Sequence, residues 1–190
     1  MTQAVQTGYG LDELIDDTRN SILSGRNVPE TVGGVRRGLK QYLSNRELRD
    51  GIKDQIAANG YRGITMYKDP ELDFVITAGT GEPGVQRPAH DHSDCWAVYG
   101  VYDGAIRFRR YRLLNTIERN TWEGRAELES IAEWVAGAGR IDGILPGGIH
   151  DLRTEDQSIS VIIRCHDLKT VWRNFYDLEN NSFRRVRGGV

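Results

Sequence analysis

The sequence predicts a mainly β protein, a sandwich or barrel, with helices packed outside at its N-terminal end. Three observations support this prediction. Apolar residues before position 60 recur at helical spacing, whereas from Tyr61 onward short β-rich runs alternate with Gly, Pro and Asp. The length of 190 residues suits one domain with a sizeable core. We therefore expect one folding unit, with a helical layer over residues 1–60, a β-barrel over 61–180 and a tail over 181–190.

Three helices are predicted in the N-terminal layer. The first begins near Leu11 and ends at Gly25, because glycine commonly follows the last helical residue. The second runs from about Pro29, a residue that suits the first helical turn, to Leu43. The third covers about residues 46–58 and is closed by an Asn-Gly pair.

Strands are predicted in the rest of the chain, over residues 63–67, 74–78, 97–102, 105–113 and 158–164. The segment 127–135 has a composition that favours a helix, but its apolar residues also alternate, and we predict a strand there. The segment 171–177 fits either a final strand or a short helical turn.

Composition and charge exclude several classes of function. A net charge of −2 gives no general attraction to nucleic acid, and the basic run 184–187 is expected to be solvated or to pair with nearby acids. No stretch reaches the roughly 18 apolar residues that cross a bilayer, so no membrane partner is expected. Cys95 and Cys165 do not make a disulfide framework, and no secretory signal is visible, so the cytoplasm is the expected location.

Three of the four histidines lie in two short segments that carry the strongest functional signal. His90 and His92 form a His-x-His pair, and side chains two residues apart on a strand point to the same face. His150 follows a Pro-Gly-Gly turn later in the chain and can complete the set. Because neutral imidazole binds Fe, Zn, Cu or Ni, the sequence predicts a metal site with positions open to a substrate.

The glycines around these histidines have a recognisable spacing. Gly84 precedes the pair of His90 and His92, and Gly104 follows it, which resembles the first motif of the cupin superfamily. The segment 140–150 resembles the second motif, in which a Pro-Gly turn presents one more histidine. The resemblance implies a cupin double-stranded β-helix, a jelly-roll barrel, with the N-terminal helices outside it.

One departure from the common cupin pattern narrows the resemblance. Many cupins place a Glu four or five residues after the second histidine, where this chain has Trp96 and Ala97. A set of three neutral histidines is shared by the thiol dioxygenases of this superfamily. Tyr61 and Arg62, followed by Asp-Pro-x-x-x-Phe over 69–74, also resemble the segment ahead of the metal site in bacterial 3-mercaptopropionate dioxygenases. The resemblance covers about residues 60–180.

The resemblance implies a mononuclear non-haem Fe(II) oxygenase in which His90, His92 and His150 hold the metal. Its partners would be O2 and a small anionic thiol, which is converted to a sulfinate, and the protein would be a monomer or homodimer. Zn, Ni or Mn remain alternatives to iron. Two other functions stay open: a three-histidine cupin enzyme acting on a non-thiol substrate, as an oxygenase or as a Zn or Ni lyase or isomerase, and a non-catalytic metal-dependent binding protein.

The resemblance transfers unevenly to the remaining site residues. Cysteine dioxygenases carry a Ser-x-His-x-Tyr segment, which is matched here by residues 160–164 with only the serine kept. Arg164 therefore stands in the position of the tyrosine, and no Cys–Tyr crosslink is expected because Ala97 occupies the cysteine position. Arg173 stands where mercaptopropionate dioxygenases place the arginine that binds the substrate carboxylate, although a salt bridge to Asp177 or another acid fits equally well.

Substrate contacts are accordingly expected from Tyr61, Arg62, Trp96, Arg164 and Arg173. Ser160 and Asp91 are expected to support the ligands from behind. His166 and Cys95 are not expected to bind the metal. Arg107 and Arg109 alternate on a predicted strand and should share one side of it, a solvated face in preference to the interior of the barrel.

Overall fold

The computed structural model describes residues 8–45, 47–60, 63–118 and 120–188, and for residues 47–50 it describes the backbone alone. Its helices are α1 (Leu11–Ser24), α2 (Val28–Ser44) and α3 (Glu47–Ala58), which confirms the helical N-terminal layer. The helix α2 begins where expected, because the side chain of Asn27 accepts a hydrogen bond of 3.0 Å from the backbone N–H of Glu30.

The remaining elements are strands, which confirms the mainly β class. They are β1 (Ile64–Lys68), β2 (Val75–Gly81), β3 (Gln86–His90), β4 (Ala97–Asp103), β5 (Ala105–Leu113), β6 (Glu123–Arg125), β7 (Leu128–Gly137), β8 (Ile141–Ile144), β9 (Ile149–Thr154), β10 (Ser158–Arg164), β11 (Trp172–Asp177) and β12 (Ser182–Arg187). The ambiguous segment 127–135 thus belongs to a strand, β7, and 171–177 forms a strand as well.

The strands form two antiparallel sheets with the order of a double-stranded β-helix. One sheet runs β1-β2-β10-β4-β8 and the other runs β6-β12-β11-β3-β9-β5-β7. Within this arrangement β2, β3, β4 and β5 alternate between the two sheets, and β7, β8, β9 and β10 alternate again after the β5–β7 hairpin. Two such interleaved halves make a jelly-roll barrel.

The sheet that contains β4 separates two apolar cores. On one face of β4, Val98 and Tyr102 pack into the core shared with the helices, while Tyr99 and Val101 on the other face pack into the barrel interior. The strand alternation expected for a sheet buried on both faces produces this division. Gly100 allows the close approach of α2, because a Cβ at this position would lie 2.6 Å from a methyl group of Leu43.

The last residues of the chain differ from the expectation of a tail. The strand β12 pairs with both β11 and β6, so residues 182–187 are an integral part of the larger sheet. The reason is Phe183, which is only 4% exposed and packs in a core cluster with Tyr176. The sequence-based expectation weighed the charge of the run 184–187 and overlooked this single apolar anchor.

The two cysteines also differ from the expectation. Cys95 and Cys165 form a disulfide with their Cα atoms 5.5 Å apart. They meet because Cys95 lies just before β4 and Cys165 just after β10, and these strands are paired neighbours in one sheet. The inference of a reducing compartment assumed unpaired thiols and loses this support, so the cytoplasmic location stays a prediction. No helix in the described ranges is long and apolar enough to cross a membrane.

Candidate metal centre

The backbone brings the two histidine segments together on neighbouring strands. His90 at the end of β3 pairs directly with His150 on β9, and His92 follows two residues after His90. The turn before β9 is also tied to the first segment, because the backbone N–H of Gly147 donates to the carbonyl oxygen of Ser93 at 2.7 Å. Gly147 has a φ of +73°, a conformation that favours glycine and explains the Pro-Gly turn of the motif.

The three histidine rings converge on one point. The Nε2 atom of His90 lies 3.3 Å from the Nε2 atoms of both His92 and His150. One candidate ligand atom from each residue lies within 4.8 Å of the others, and all three side chains are buried. No other group of three His, Cys, Asp or Glu side chains in the described part of the chain meets this geometry.

The protonation state of the cluster suits metal binding. His90 Nδ1 lies 2.8 Å from the carbonyl oxygen of Pro88, which can only accept, so this nitrogen carries the proton and Nε2 presents its lone pair to the cluster. Burial lowers the pKa of His90 to about 4, and it lowers the pKa values of His92 and His150 well below the usual value. All three rings are therefore neutral near pH 7, the form that binds a metal.

These residues fit a divalent transition metal. Imidazole nitrogen suits iron, zinc, copper and nickel alike, so the donor set does not choose among them. No carboxylate belongs to the cluster. Three protein ligands are one fewer than the four of a closed structural zinc site, so a bound metal would have at least one position open.

Tyr99 is a functional candidate that the sequence analysis did not identify. Its hydroxyl lies 3.3 Å from His92 Nε2, and its ring packs edge-on against His150 with the centroids 5.4 Å apart. Tyr99 projects from β4, in the sheet that faces the histidines. The alternation of side chains along β4 could have identified it. Ala97, Tyr99 and Val101 share the inner face of this strand, which begins shortly after the His-x-His pair.

A cavity of about 120 Å³ opens beside the histidines. Its wall combines three arginines, four hydroxyl side chains and four aliphatic side chains, together with Tyr99: Arg87, Arg164, Arg173, Thr80, Thr154, Ser158, Ser160, Ile106, Leu152, Ile162 and Leu168. None of the residues that line it is Asp or Glu. A larger groove of about 690 Å³ lies between α1 and α2, but no histidine or cysteine lines it. The smaller cavity is therefore the candidate site.

Arg173 is the most deeply buried cation of the cavity. This residue is only 7% exposed. Its Nη2 donates to the carbonyl oxygen of Gly188 at 3.1 Å, and its guanidinium lies 5.1 Å from the ring centroid of Phe175. Burial, reinforced by the positive charge of Arg164, lowers its pKa from the usual value. The alternative of a salt bridge to Asp177 is not realised, since that carboxylate accepts hydrogen bonds from Asn180 instead.

Arg164 reaches the same cavity from the opposite sheet. Its Nη1 donates to the hydroxyl of Thr77 at 3.1 Å, and its guanidinium lies 6.0 Å from the ring centroid of Tyr99. The Nε atoms of Arg164 and Arg173 are both buried without a hydrogen-bond partner among the described residues. Two guanidiniums with free donor capacity thus share one small space.

Asp91 and Ser160 take different roles near the cluster. Ser160 lines the cavity. Asp91 faces away from it and accepts hydrogen bonds from the hydroxyl of Tyr176 at 2.9 Å and from the side chain of Asn174 at 2.8 Å. It also accepts from the backbone N–H of Ser93, directly after His92. Asp91 therefore fixes the loop that carries the ligands without touching the rings.

The remaining candidates lie elsewhere. Trp96 does not line the cavity, contrary to expectation, because it packs on the helix side of the sheet with Val98. Its proximity in sequence to the ligands is outweighed by strand parity. Tyr61 and Arg62 lie outside the described residues. His166 contacts the carboxylate of Asp73 at the surface at 3.2 Å and is remote from the cluster.

Comparison with known proteins identifies similarity at the level of the fold. No family model matches the chain, and no curated protein matches it. Among solved structures, a double-stranded β-helix protein from Klebsiella pneumoniae is 15% identical, with 60% of this chain and 80% of that chain covered at a TM-score of 0.41. A cupin-2 domain protein from Shewanella frigidimarina is also 15% identical, with 58% and 88% covered at a TM-score of 0.40.

An enzyme is also among the similar structures. The DMSP lyase of Ruegeria pomeroyi is 14% identical, and the match covers 57% of this chain but only 48% of the lyase at a TM-score of 0.40. Likeness at this level concerns the fold and carries no argument about substrate or reaction. The comparisons give no support for the narrower resemblance to thiol dioxygenases.

Proposed function

We propose that the protein is a mononuclear non-haem Fe(II) oxygenase of the thiol dioxygenase kind, which acts on a small anionic thiol. The observation that supports this proposal most directly is the juxtaposition of three buried neutral histidines with a cationic cavity that no carboxylate lines. A bound Fe(II) ion would supply the O2 chemistry, and three neutral ligands would leave its charge uncompensated, which favours an anionic thiolate.

The side chains of the cavity have distinct parts in this proposal. His90, His92 and His150 would hold the metal, and Arg173 would bind and orient the carboxylate of the substrate through its free N–H groups. Ile106, Leu152 and Ile162 would provide apolar contacts to the carbon skeleton of the substrate. The hydroxyl of Tyr99 lies 3.3 Å from His92 Nε2 and would therefore be close to a bound metal, where it could exchange a proton with a bound molecule.

A second candidate is a three-histidine enzyme that acts on a non-thiol substrate, with Zn, Ni or Mn in place of iron. Arg164 favours it, because it lines the cavity where the tyrosine of cysteine dioxygenases is expected. Tyr99 favours it too, since a phenol beside a metal site can serve as the acid or base of a lyase or isomerase. A metal-dependent binding protein without catalytic turnover would use the same three histidines to hold its metal, but it would form no product.

The decisive experiment combines metal analysis with oxygen uptake. The protein is purified anaerobically, its metal content is measured, and it is reconstituted separately with Fe(II), Zn, Ni or Mn. Each form is then tested in an oxygen electrode with small carboxylated thiols. The proposal predicts oxygen uptake and a sulfinate product with the Fe(II) form alone. No oxygen uptake with any thiol by the Fe(II) form, or equal uptake with every metal, would overturn it.

A further inference from the structure

Three arginines line the cavity beside the histidines, of which Arg87 is exposed. The other two, Arg173 and Arg164, each have a buried Nε without a partner among the described residues, although one guanidinium suffices to bind a monocarboxylate. The first, Arg173, is almost fully buried and makes a single hydrogen bond, to a neutral backbone carbonyl. A guanidinium carries five N–H donors, and an unpaired buried charge is unfavourable. This residue therefore has the capacity to hold an anion in a bidentate contact, and the described part of the chain provides none.

The second guanidinium, Arg164, approaches from the other sheet. It lies on β10 whereas Arg173 lies on β11, so the two cations are carried by elements of different sheets. Arg164 contacts the neutral hydroxyl of Thr77 and the ring of Tyr99, and no carboxylate pairs with it among the described residues. Two like charges facing one small cavity repel each other, and a single monoanion would compensate only one of them.

The volume of the cavity limits the size of what it can hold. At about 120 Å³ it has the liquid volume of about four water molecules, at about 30 Å³ each. Thr154, Ser158 and Ser160 contribute hydroxyl groups to the same wall. A short carbon skeleton with two charged ends fits these limits, whereas a nucleotide or a peptide does not.

We propose that the cavity selects a small dianion, with one negative charge compensated by Arg173 and the other by Arg164. This inference rests on the proposed function for the site itself and narrows its substrate to doubly charged anions, such as a short dicarboxylate skeleton. A single doubly charged group, such as phosphate, presents the same chemistry, so both sources are included in the test.

The test measures binding and not turnover. Titration calorimetry is carried out on the protein with its metal as isolated, and again after metal removal, at one fixed ionic strength. The probes are succinate, inorganic phosphate and the monoanion propionate. We expect at least one dianion to bind about tenfold or more tightly than propionate in both metal states. Equal affinity for the three probes, or no binding of either dianion, would overturn the proposal.

Variants assign the second charge to Arg164. In R164Q the affinity for the preferred dianion should fall about tenfold while that for propionate changes less than about twofold. The matched control is R107Q, which removes a guanidinium on the outer face and should leave both affinities unchanged. A proportional loss of both affinities in R164Q would contradict the assignment. If R164Q does not fold, the comparison of dianion and monoanion on the unmodified protein still decides the proposal.

Failure of this inference and failure of the proposed function are distinguishable. A dianion preference without oxygen uptake removes the oxygenase and keeps the dianion site. Oxygen uptake with monocarboxylated thiols, together with equal binding of succinate and propionate, keeps the oxygenase and overturns the dianion site.

Discussion

Two sets of arginines in this molecule have opposite surroundings. Every arginine of β5 is paired with a carboxylate: Arg107 with Glu133 and Glu155, Arg109 with Asp151, Arg110 with Asp142 and Arg112 with Glu129. The cavity arginines 87, 164 and 173 have no such partner among the described residues, and two of them keep a buried Nε without a hydrogen bond.

The difference separates the charges that hold the sheet from the charges that we propose bind a substrate. The ion pairs of β5 connect that strand to β7, β8 and β9, so Arg107 and Arg109 belong to a half-exposed polar face and hold the sheet together. The cavity guanidiniums make no comparable ion pairs within the described part of the chain. Unpaired buried charges of this kind lower the stability of the folded chain.

The largest expected effect is on metal binding by the three histidines, beside which the unpaired arginines lie. H90A and H150A should each lower the metal bound per chain at least tenfold, because each removes one of three ligands. The matched control is H166A, which removes the surface histidine paired with Asp73. Elemental analysis checks this prediction, and full metal content in both ligand variants would rule out the three-histidine site.

The second prediction concerns the pH dependence of stability, which the buried histidines of the metal site should control. In the metal-free protein His90 has a pKa of about 4, lowered by burial, against about 6.5 in the unfolded chain. Below pH 6.5 the unfolded chain binds protons that the folded chain excludes, so stability should be full above this pH and decline toward pH 4. His90 alone corresponds to roughly 3 kcal/mol over this interval, and His92 and His150 shift in the same direction.

Urea unfolding of the metal-free protein between pH 8 and pH 4.5 measures this decline. The control is H166N, which removes the histidine outside the cluster and leaves the three buried rings in place. A flat profile would show that the cavity histidines are not held neutral by burial.

The third prediction compares the two sets of arginines directly. R109M should lower the free energy of unfolding by about 1–2 kcal/mol, because the buried carboxylate of Asp151 loses its cationic partner and keeps only the hydrogen bond from Tyr111. R173M should leave the stability of the ligand-free protein unchanged or raise it, because it removes a buried charge that has no partner, while weakening the binding of a substrate anion. Denaturation curves of both variants measure these changes in the free energy of unfolding. Equal losses of stability would contradict the distinction between the two sets of arginines.

The smallest expected effect compares a tyrosine beside the metal site, Tyr99, with a tyrosine beside the ion pairs of β5, Tyr111. Y99F should lower kcat about tenfold, equivalent to about 1.4 kcal/mol, with metal content and KM unchanged. Y111F is the control, because its hydroxyl donates to Asp151 at 2.7 Å on the outer side of β9. It should affect stability and leave kcat unchanged. A kcat of Y99F equal to that of the unmodified protein would return Tyr99 to a packing role.

The sequence predicts the local features of the site well and the long-range ones poorly. The histidines could be identified because each cluster is a short motif in which glycines set the turns; Gly104, for example, has no room for a Cβ, which would lie 2.2 Å from the carbonyl oxygen of Gln157. The lack of a carboxylate partner for Arg173 could not be predicted. It depends on which acidic residues the two sheets place near this side chain, and those residues are distant in sequence. Trp96 was misplaced for a related reason, since the face it occupies is set by the register of β4.

The disulfide between Cys95 and Cys165 has a practical consequence for any assay of this protein. It links a residue three positions beyond His92 to the neighbour of Arg164, so one covalent bond spans the ligand loop and the cationic wall. Cys165 is partly exposed, and small thiols attack disulfides by exchange. A compound offered as a substrate is therefore also a reductant of its own binding site, and the oxidation state of this pair has to be followed throughout the measurement.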